Sequence, residues 1–531
     1  MIAPQDIRTA DPTIAADITA GYFAFGGRIV NASGRSPFAI DPGDAQGSDH
    51  AAAWQRALCG FGWLRHLRAA DQPAAGARGR ALVTGFLDAH ARPSQAVAWE
   101  PRVTARRMLA WLSQSPVLLA GADRAFYTRF MQSLAAHRAS LAQRHSGGLA
   151  GEARLPVALA LAEYGLCAAD SVALLRAGTA ALASEIDAQI LPDGGHIGRN
   201  PQTLIDLLID MLPLRHAYAA RGIQAPPQLL NAIDRMMPML RLFRHGDGAL
   251  ALFNGMGITA PELVATILAY DDARAQPVTN ARYAGYQRLE AEGTIVVVDA
   301  GAAPPQVFST QAHAGCLAFE LSSGIRRIIV NCGAPEVARA NAREASRTTA
   351  AHSTLVVDDT SSCRFATNAG LARFVRDEIL AGPTVVTAER GQDDAGTHLF
   401  LSHDGYSARF GLAHHRELTL APDGGRLEGR DRLEPVGKRA AGAVPYALRF
   451  HLHPSVKAHA NEDGTAVRLD APDGEVWLLE SDTPAEVEPS ILFASAGGPR
   501  ATLQVKLASD TSRPEVRWTL QRIAAAESRR R

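Results

Sequence analysis

Seven of the nine histidines in the second half of the chain, His313, His352, His403, His414, His415, His451 and His453, are the residues whose chemistry first stands out. Imidazole moves protons near neutral pH and ligates metals, so a local excess of it points to acid–base or metal chemistry. In Arg449-Phe450-His451-Leu452-His453 the alternation would set both histidines on one face of a strand. Such a pair either lines a cleft, binds an ion, or simply hydrogen-bonds on a sheet face. Farther upstream, Gly194-Gly195-His196-Ile197-Gly198-Arg199-Asn200 brings an imidazole, a guanidinium and an amide together in one loop before Pro201. Pro201 suits the first position of a helix, and Asn200 suits its N-cap. Arg343 and Arg347 are candidate anion contacts. His403-Asp404-Gly405-Tyr406 offers a base and a phenol, and is equally good turn chemistry.

The elements that must position these groups fall into two runs. From Trp54 onward, Trp54, Leu58, Phe61, Leu64 and Leu67 recur at the three- and four-residue spacing of an amphipathic helix. Further helices are expected near 80–91, 103–120, 122–145, 153–165, 168–190, 201–221, 226–243 and 260–269, separated by Gly, Pro and Asp punctuation. Beyond about residue 280 the pattern changes to short β-branched runs such as Thr294–Asp299, Arg326–Asn331, Ser353–Val357 and Tyr446–Leu452, with Pro-Asp-Gly turns at 422–424 and 472–474. Helices followed by strands imply an α domain and then an antiparallel β-sandwich. The expected division is an N-terminal arm over 1–48, a helical domain over 49–280 and a sandwich over 281–531.

Composition excludes several classes. With 54 basic and 54 acidic residues in 531, the chain lacks the cationic excess of a dedicated nucleic-acid binder. The five cysteines are widely spaced, with no Cys-x-x-Cys, so neither a zinc ribbon nor a disulfide scaffold is indicated. No window holds the roughly 18 or more consecutive apolar residues of a membrane span, and the first residues do not read as a signal peptide.

Several segments resemble heparinase II/III-like polysaccharide lyases. Ala312-His313-Ala314-Gly315-Cys316-Leu317-Ala318-Phe319-Glu320-Leu321 is similar to the family's HAHADxLSFEL strand, and Ile329-Val330-Asn331-Cys332-Gly333 to its VDxG. Arg347-Thr348-Thr349-Ala350-Ala351-His352-Ser353-Thr354-Leu355-Val356-Val357-Asp358 resembles RSTxAHNTVxVD, and Pro192-Asp193-Gly194-Gly195-His196 matches a family loop. The resemblance implies a helical (α/α) toroid joined to a large β-sandwich. The implied activity is β-elimination on a uronate-containing acidic polysaccharide in the periplasm or cell envelope. It further implies a structural zinc on the positions of His313, Asn331 and His352, although Asn331 stands where the family has Asp.

Departures fall at the chemistry. On this resemblance Thr203 occupies the family's catalytic Tyr position, Leu204 a His position and Gln311 the first His of HAH, while Gly147-Gly148-Leu149 replaces the Asn-His that contacts the uronate carboxylate. Leu moves no proton, and elimination needs a base, an acid and a group that neutralises the carboxylate. A substitute set is expected in His196 as base, Arg199 as a bidentate clamp for the carboxylate and Asn200 as cap or donor. Arg347, His403 and Tyr406 are expected to contact substrate. The expected function is a lyase with this rearranged set. The alternative is a catalytically silent glycan-binding relative in a surface-polysaccharide pathway, and a homo-oligomer is compatible with either. Hydrolysis would need a pair of carboxylates, and the sequence nominates none.

Overall fold

A computed structural model describes residues 2–43, 49–70, 73–168, 171–271, 274–337, 340–366, 377–437 and 442–525. The N-terminal arm carries helix α1 (Pro12–Ala20) and the hairpin β1 (Tyr22–Phe25) and β2 (Arg28–Asn31). Eleven helices follow: α2 (His50–Gly60), α3 (Leu64–Ala69), α4 (Pro73–Ala89), α5 (Pro101–Ser113), α6 (Ser115–Leu119), α7 (Arg124–Ser146), α8 (Arg154–Cys167), α9 (Val172–Gln189), α10 (Pro201–Ala220), α11 (Pro227–Leu242) and α12 (Pro261–Ala269). Proline opens α5, α10, α11 and α12, where its missing N–H has no intrahelical partner to lose. Asp11, Asp123, Ser171 and Asn200 cap α1, α7, α9 and α10 through side-chain oxygens. Helices α2, α5, α8, α10 and α12 pack in succession as an inner row, and α7, α9 and α11 lie against them as an outer one. Within that row α5, α8 and α10 are the most deeply buried, which explains why α8 reads as apolar on nearly every face rather than as a stripe.

The second domain begins with β3 (Asn280–Ala281), β4 (Tyr286–Ala291), β5 (Thr294–Asp299), β6 (Phe319–Ser323), β7 (Arg326–Val330) and β8 (Leu355–Val357). After a short pair, β9 (Arg364–Phe365) and β10 (Ile379–Ala381), come β11 (Val386–Asp393), β12 (Gly396–His403), β13 (Leu412–Leu420), β14 (Arg426–Pro435) and β15 (Pro445–Leu452). The chain finishes with β16 (Lys457–Ala460), β17 (Ala466–Asp470), β18 (Val476–Ser481), β19 (Ala485–Leu492), β20 (Arg500–Asp510) and β21 (Glu515–Ala524). One antiparallel sheet runs β11-β12-β13-β14-β21-β18-β17-β16. The other runs β19-β20-β15-β7-β6-β5-β4-β3, with β8 also pairing with β15.

The second sheet is covered on both faces. Every residue of β5 is buried. Its alternation sends Val296 and Val298 into the core between the sheets, and Ile295 and Val297 into the helical core. Asp299 lies on the helix-facing side by the same rule, as does Glu320 on β6, which meets His245 at 3.0 Å. This polar lining of an otherwise apolar interface fixes how the two domains meet.

The sandwich interior carries its own buried charges. Arg416 on β13 lies opposite Asp431 on β14 and bonds it at 2.7 Å, while His414 and the Trp518 indole N–H bond the same carboxylate at 2.7 and 2.9 Å. Arg416 also donates to the carbonyls of Leu317 and Ser353, tying one sheet to the other. Gly429 faces Trp518 in the ladder, and the indole occupies the space a side chain at 429 would need. In the helical core, Arg107 is fully buried without a carboxylate, donating to His137 and to the carbonyls of Cys59 and Ala98.

Burial pushes the imidazoles of His137 and His403 well below their ordinary range and that of His451 down to about 3. These rings are neutral in the folded chain but take up protons below about pH 6.5 once unfolded. The unfolded state then binds more protons, so stability falls as pH drops, by up to about 1.4 kcal/mol per pH unit for each histidine. Urea midpoints measured between about pH 7.5 and pH 5 are expected to fall steadily, well before carboxylates titrate.

Candidate functional site

The joint between the domains opens into two cavities that share Gln311. The outer, of about 710 Å³, is lined by residues that include Gln202, Ile258, Gln311, His313, Arg343 and Arg347. The inner, of about 390 Å³, is bounded by Arg8, Arg102, Arg106, Glu152, His196, Thr203, Asp206 and Asp210 among others. Helix α10 supplies much of the inner wall. Thr203, Asp206, Leu207 and Asp210 follow three- and four-residue steps on one face, so one amphipathic stripe is turned toward the cavity instead of the core. Glu152 comes from the turn 151–153 before α8. Gly151 has φ +67°, and a methyl there would collide with the Val307 carbonyl of the sandwich domain, so glycine permits this loop to close on the joint.

The loop nominated from sequence lies at the joint, but its groups are already engaged. Arg199, at φ +64°, donates through Nε to Ala284 O, through Nη1 to Gly301 O and Ala302 O, and through Nη2 to Gly285 O and Asp299 Oδ1 at 2.5 Å. All five N–H groups are thus spent on the sandwich domain. The expectation of a uronate clamp is corrected: Arg199 is a latch between domains. Burial works against its charge, yet Asp299 holds the guanidinium above its ordinary value. Asn254 closes the network by donating to Asp299 Oδ2 at 3.0 Å and to Tyr286, whose hydroxyl donates to Arg199 O at 2.6 Å.

His196 does line the inner cavity, but it is only 2% exposed, with Nδ1 accepting from Gly198 N–H at 3.0 Å and Nε2 facing Gln189 Oε1 at 3.1 Å. Burial and nearby Arg102 lower its pKa to about 3. With both nitrogens engaged it has no lone pair for a substrate proton, which corrects its role as base. Asn200 caps α10 through Oδ1 (Gln202 N–H, 2.9 Å) and donates through Nδ2 to Gln311 Oε1 at 2.7 Å, a structural part in place of the expected catalytic one.

Of the expected substrate contacts, Arg347 borders the outer cavity, with Nε and Nη2 on the carbonyls of Ala312 and Ser309. His403 and Tyr406 are corrected. Both are buried in the sandwich, His403 against His414 at 3.3 Å and the Tyr406 hydroxyl on Leu355 O at 2.9 Å, and neither lines these cavities. His451 and His453 bond separately, to Ser490 and Ser455.

The residues expected to hold zinc do not fit it. His352 Nδ1 lies 2.8 Å from Thr348 O and so carries the proton, leaving Nε2 to accept from His313 Nδ1 at 3.2 Å. Burial keeps both rings neutral, His352 at about 4. Asn331 donates to Glu320 Oε1 at 3.2 Å and accepts from Ser353 N–H at 2.9 Å. An uncharged amide with its oxygen spent, beside two imidazoles bonded to each other, lacks the anionic donor of a closed site. Among the described residues no group of three or more His, Cys, Asp and Glu side chains is placed to hold an ion.

Of the positions that depart from the lyase pattern, Thr203 and Gln311 border the inner cavity while Leu204 is buried in the helical core. Sequence reasoning missed Glu152, Asp206 and Arg102. The signal for Asp206 was present: two aspartates, 206 and 210, one helical turn apart in an otherwise apolar helix.

Residues 273–519 match the family model described as "Heparinase II/III-like, C-terminal". The FtsZ-localized protein C of Caulobacter vibrioides is 36% identical over 376 residues, which make up 68% of this chain and 64% of that protein; the chain therefore spans less than two thirds of that relative's length. A crystal structure of heparinase III aligns at TM-score 0.69 and 13% identity, covering 94% of this chain and 80% of that one. A mutant of heparan sulfate lyase HepC from Pedobacter heparinus aligns at TM-score 0.65 and 15% identity, covering 98% and 85%. These structural likenesses establish the fold, a helical domain followed by antiparallel sheets.

Arg199→Ala is expected to leave Asp299 buried and unpaired and to cost about 3–5 kcal/mol. Urea unfolding followed by tryptophan fluorescence measures this, and an unchanged midpoint would contradict the latch.

Proposed function

Because residues 273–519 belong to the heparinase II/III-like C-terminal family, we propose that the chain binds a carbohydrate chain in the groove at its domain joint and does not β-eliminate it. The observation carrying this reading is the state of the residues at the family's reactive positions. Thr203 puts an aliphatic hydroxyl where the family has a phenol, Leu204 is buried, and Gln311 is tied to Asn200. Elimination asks for a base at the sugar and a donor on the carboxylate, and Arg199 and His196 are both spent. The cleft remains, with charged side chains in its lining.

Its charge narrows the ligand. Three arginines face three carboxylates in the inner cavity, and two face two in the outer. Arg8 and Arg106 both hold Asp210, and Arg343 pairs with Asp377. A near-balanced lining suits a glycan with sparse carboxylates better than a dense polyanion. Arg102, half-exposed, approaches Glu152 only at 3.5 Å and is the cation best placed for a ligand carboxylate.

Calorimetric titration with uronate-containing oligosaccharides, alongside absorbance of unsaturated uronate, tests this reading. Binding without an absorbance rise is expected, weakened about tenfold by Arg102→Ala, the scale of one exposed charge-assisted contact. A rising absorbance would restore the lyase, and absence of binding to any carbohydrate would remove the reading. The 36% identity to a protein named for FtsZ favours a second, compatible reading, association with FtsZ. Co-sedimentation of the purified chain with FtsZ filaments is the expected outcome if it holds, and a chain left in the supernatant contradicts it.

A further inference from the structure

We infer that Glu152 and Asp206 form an acid–base pair that hydrolyses a glycosidic bond of the carbohydrate held in the inner cavity. This rests on the carbohydrate-groove reading and supplies a reaction that β-elimination does not. The two carboxylates come from different elements, the turn before α8 and the cavity face of α10, and line the same space. Their surroundings differ in the way that acid and base require. Glu152 is 8% exposed, and its Oε1 is buried with no hydrogen-bond partner. That oxygen packs so closely on the His196–Gly198 turn that a methyl at Gly198 would meet it at 2.9 Å. An unpartnered carboxyl oxygen in a buried site favours the protonated form, which has an O–H to give. Asp206 is open to the cleft and accepts from Gln202 Nε2 at 2.9 Å, which favours the carboxylate.

Burial raises the Glu152 carboxyl; the cleft walls around Asp206 raise it too, although its side chain reaches solvent, and there the Gln202 bond and Arg102 oppose the rise. At Glu152, Arg102 opposes the rise and the charge of Asp206 adds to it. Groups that share a cleft yet differ in solvation can divide the acid and base roles.

Glu152 gives its proton to the glycosidic oxygen as the bond from that oxygen to the anomeric carbon breaks. A water oxygen bonds to the anomeric carbon while its proton passes to Asp206. The products are two shorter glycans, one with a new reducing end, and exchange with solvent restores both carboxyls.

The experiment offers the full chain hyaluronan, alginate, polygalacturonate, heparan sulfate, chitin oligosaccharides and bacterial peptidoglycan sacculi in heavy-oxygen water. It follows new reducing ends and their mass, with calorimetric binding measured in parallel. Release of reducing ends carrying the heavy oxygen is expected from at least one probe that binds. Glu152→Gln and Asp206→Asn should each lower the rate by roughly 10²–10⁴-fold with binding retained within a few fold. Thermal melts identify a variant that fails to fold, and Glu152→Asp and Asp206→Glu, which keep the carboxyl, should retain part of the rate. A glycan that binds but is never cut overturns the hydrolysis while leaving the groove reading intact. Cutting unaffected by both amide variants overturns the assignment of residues. No binding to any probe overturns the groove reading and the hydrolysis with it.

Discussion

Arg199 leaves the helical domain in a left-handed turn and places all five of its N–H groups on oxygens of the sandwich domain, with Asp299 as counter-ion. The cleft depends on this one buried interaction, because its walls belong to different domains. The α10 face and the 151–153 turn come from one side, and the 306–313 loop with His313 comes from the other. The latch sits where it does because β5 alternates: with Val296 and Val298 committed to the sandwich core, Asp299 must face the helices. Glu320 follows the same rule one strand over, so two carboxylates on one sheet face hold the joint through Arg199 and His245.

Around that joint, the positions where polysaccharide lyases carry reactive groups hold residues that bond to their neighbours. Gln311 is linked to Asn200, Asn331 to Glu320 and Ser353, and His313 to His352. Gln311 and Asn331 stand where the family has His and Asp, and in each case the replacing amide is satisfied by hydrogen bonds at the joint, which stabilises it. The cavity itself was not filled. Among the described residues that line it, Glu152 Oε1 and Arg106 Nε are buried without hydrogen-bond partners, and a buried carboxyl oxygen left without a partner calls for a ligand or a reaction to explain it.

Much of the fold was legible in the sequence. Proline and Asn/Asp/Ser boundaries set several helices to within a few residues, as for 201–221 against Pro201–Ala220, whereas 80–91 begins at Pro73 and 103–120 is two helices; Thr294–Asp299 was read to the residue. β14 escaped because its inward positions include Gly429 and Asp431, which serve the Trp518 packing and the Arg416 pair and break the apolar alternation. In the arm, Asp11-Pro12 is a helix start that the structure uses and that the sequence reading did not pick out. At the site, residue type was a poor guide to availability. The sequence shows that Arg199 is a guanidinium beside a glycine-rich loop. It cannot show that five carbonyl and carboxylate oxygens from about a hundred residues away have claimed it. The reverse held for Glu152, whose significance is an unpartnered oxygen that only the packing of Gly198 reveals.

Hydrogen–deuterium exchange of the full chain, with and without a uronate oligosaccharide that it binds, tests the claim that the joint is the binding site. Protection is expected in both walls at once, in peptides spanning 195–206 and 306–313. Protection confined to other surfaces, or to one domain alone, would contradict it.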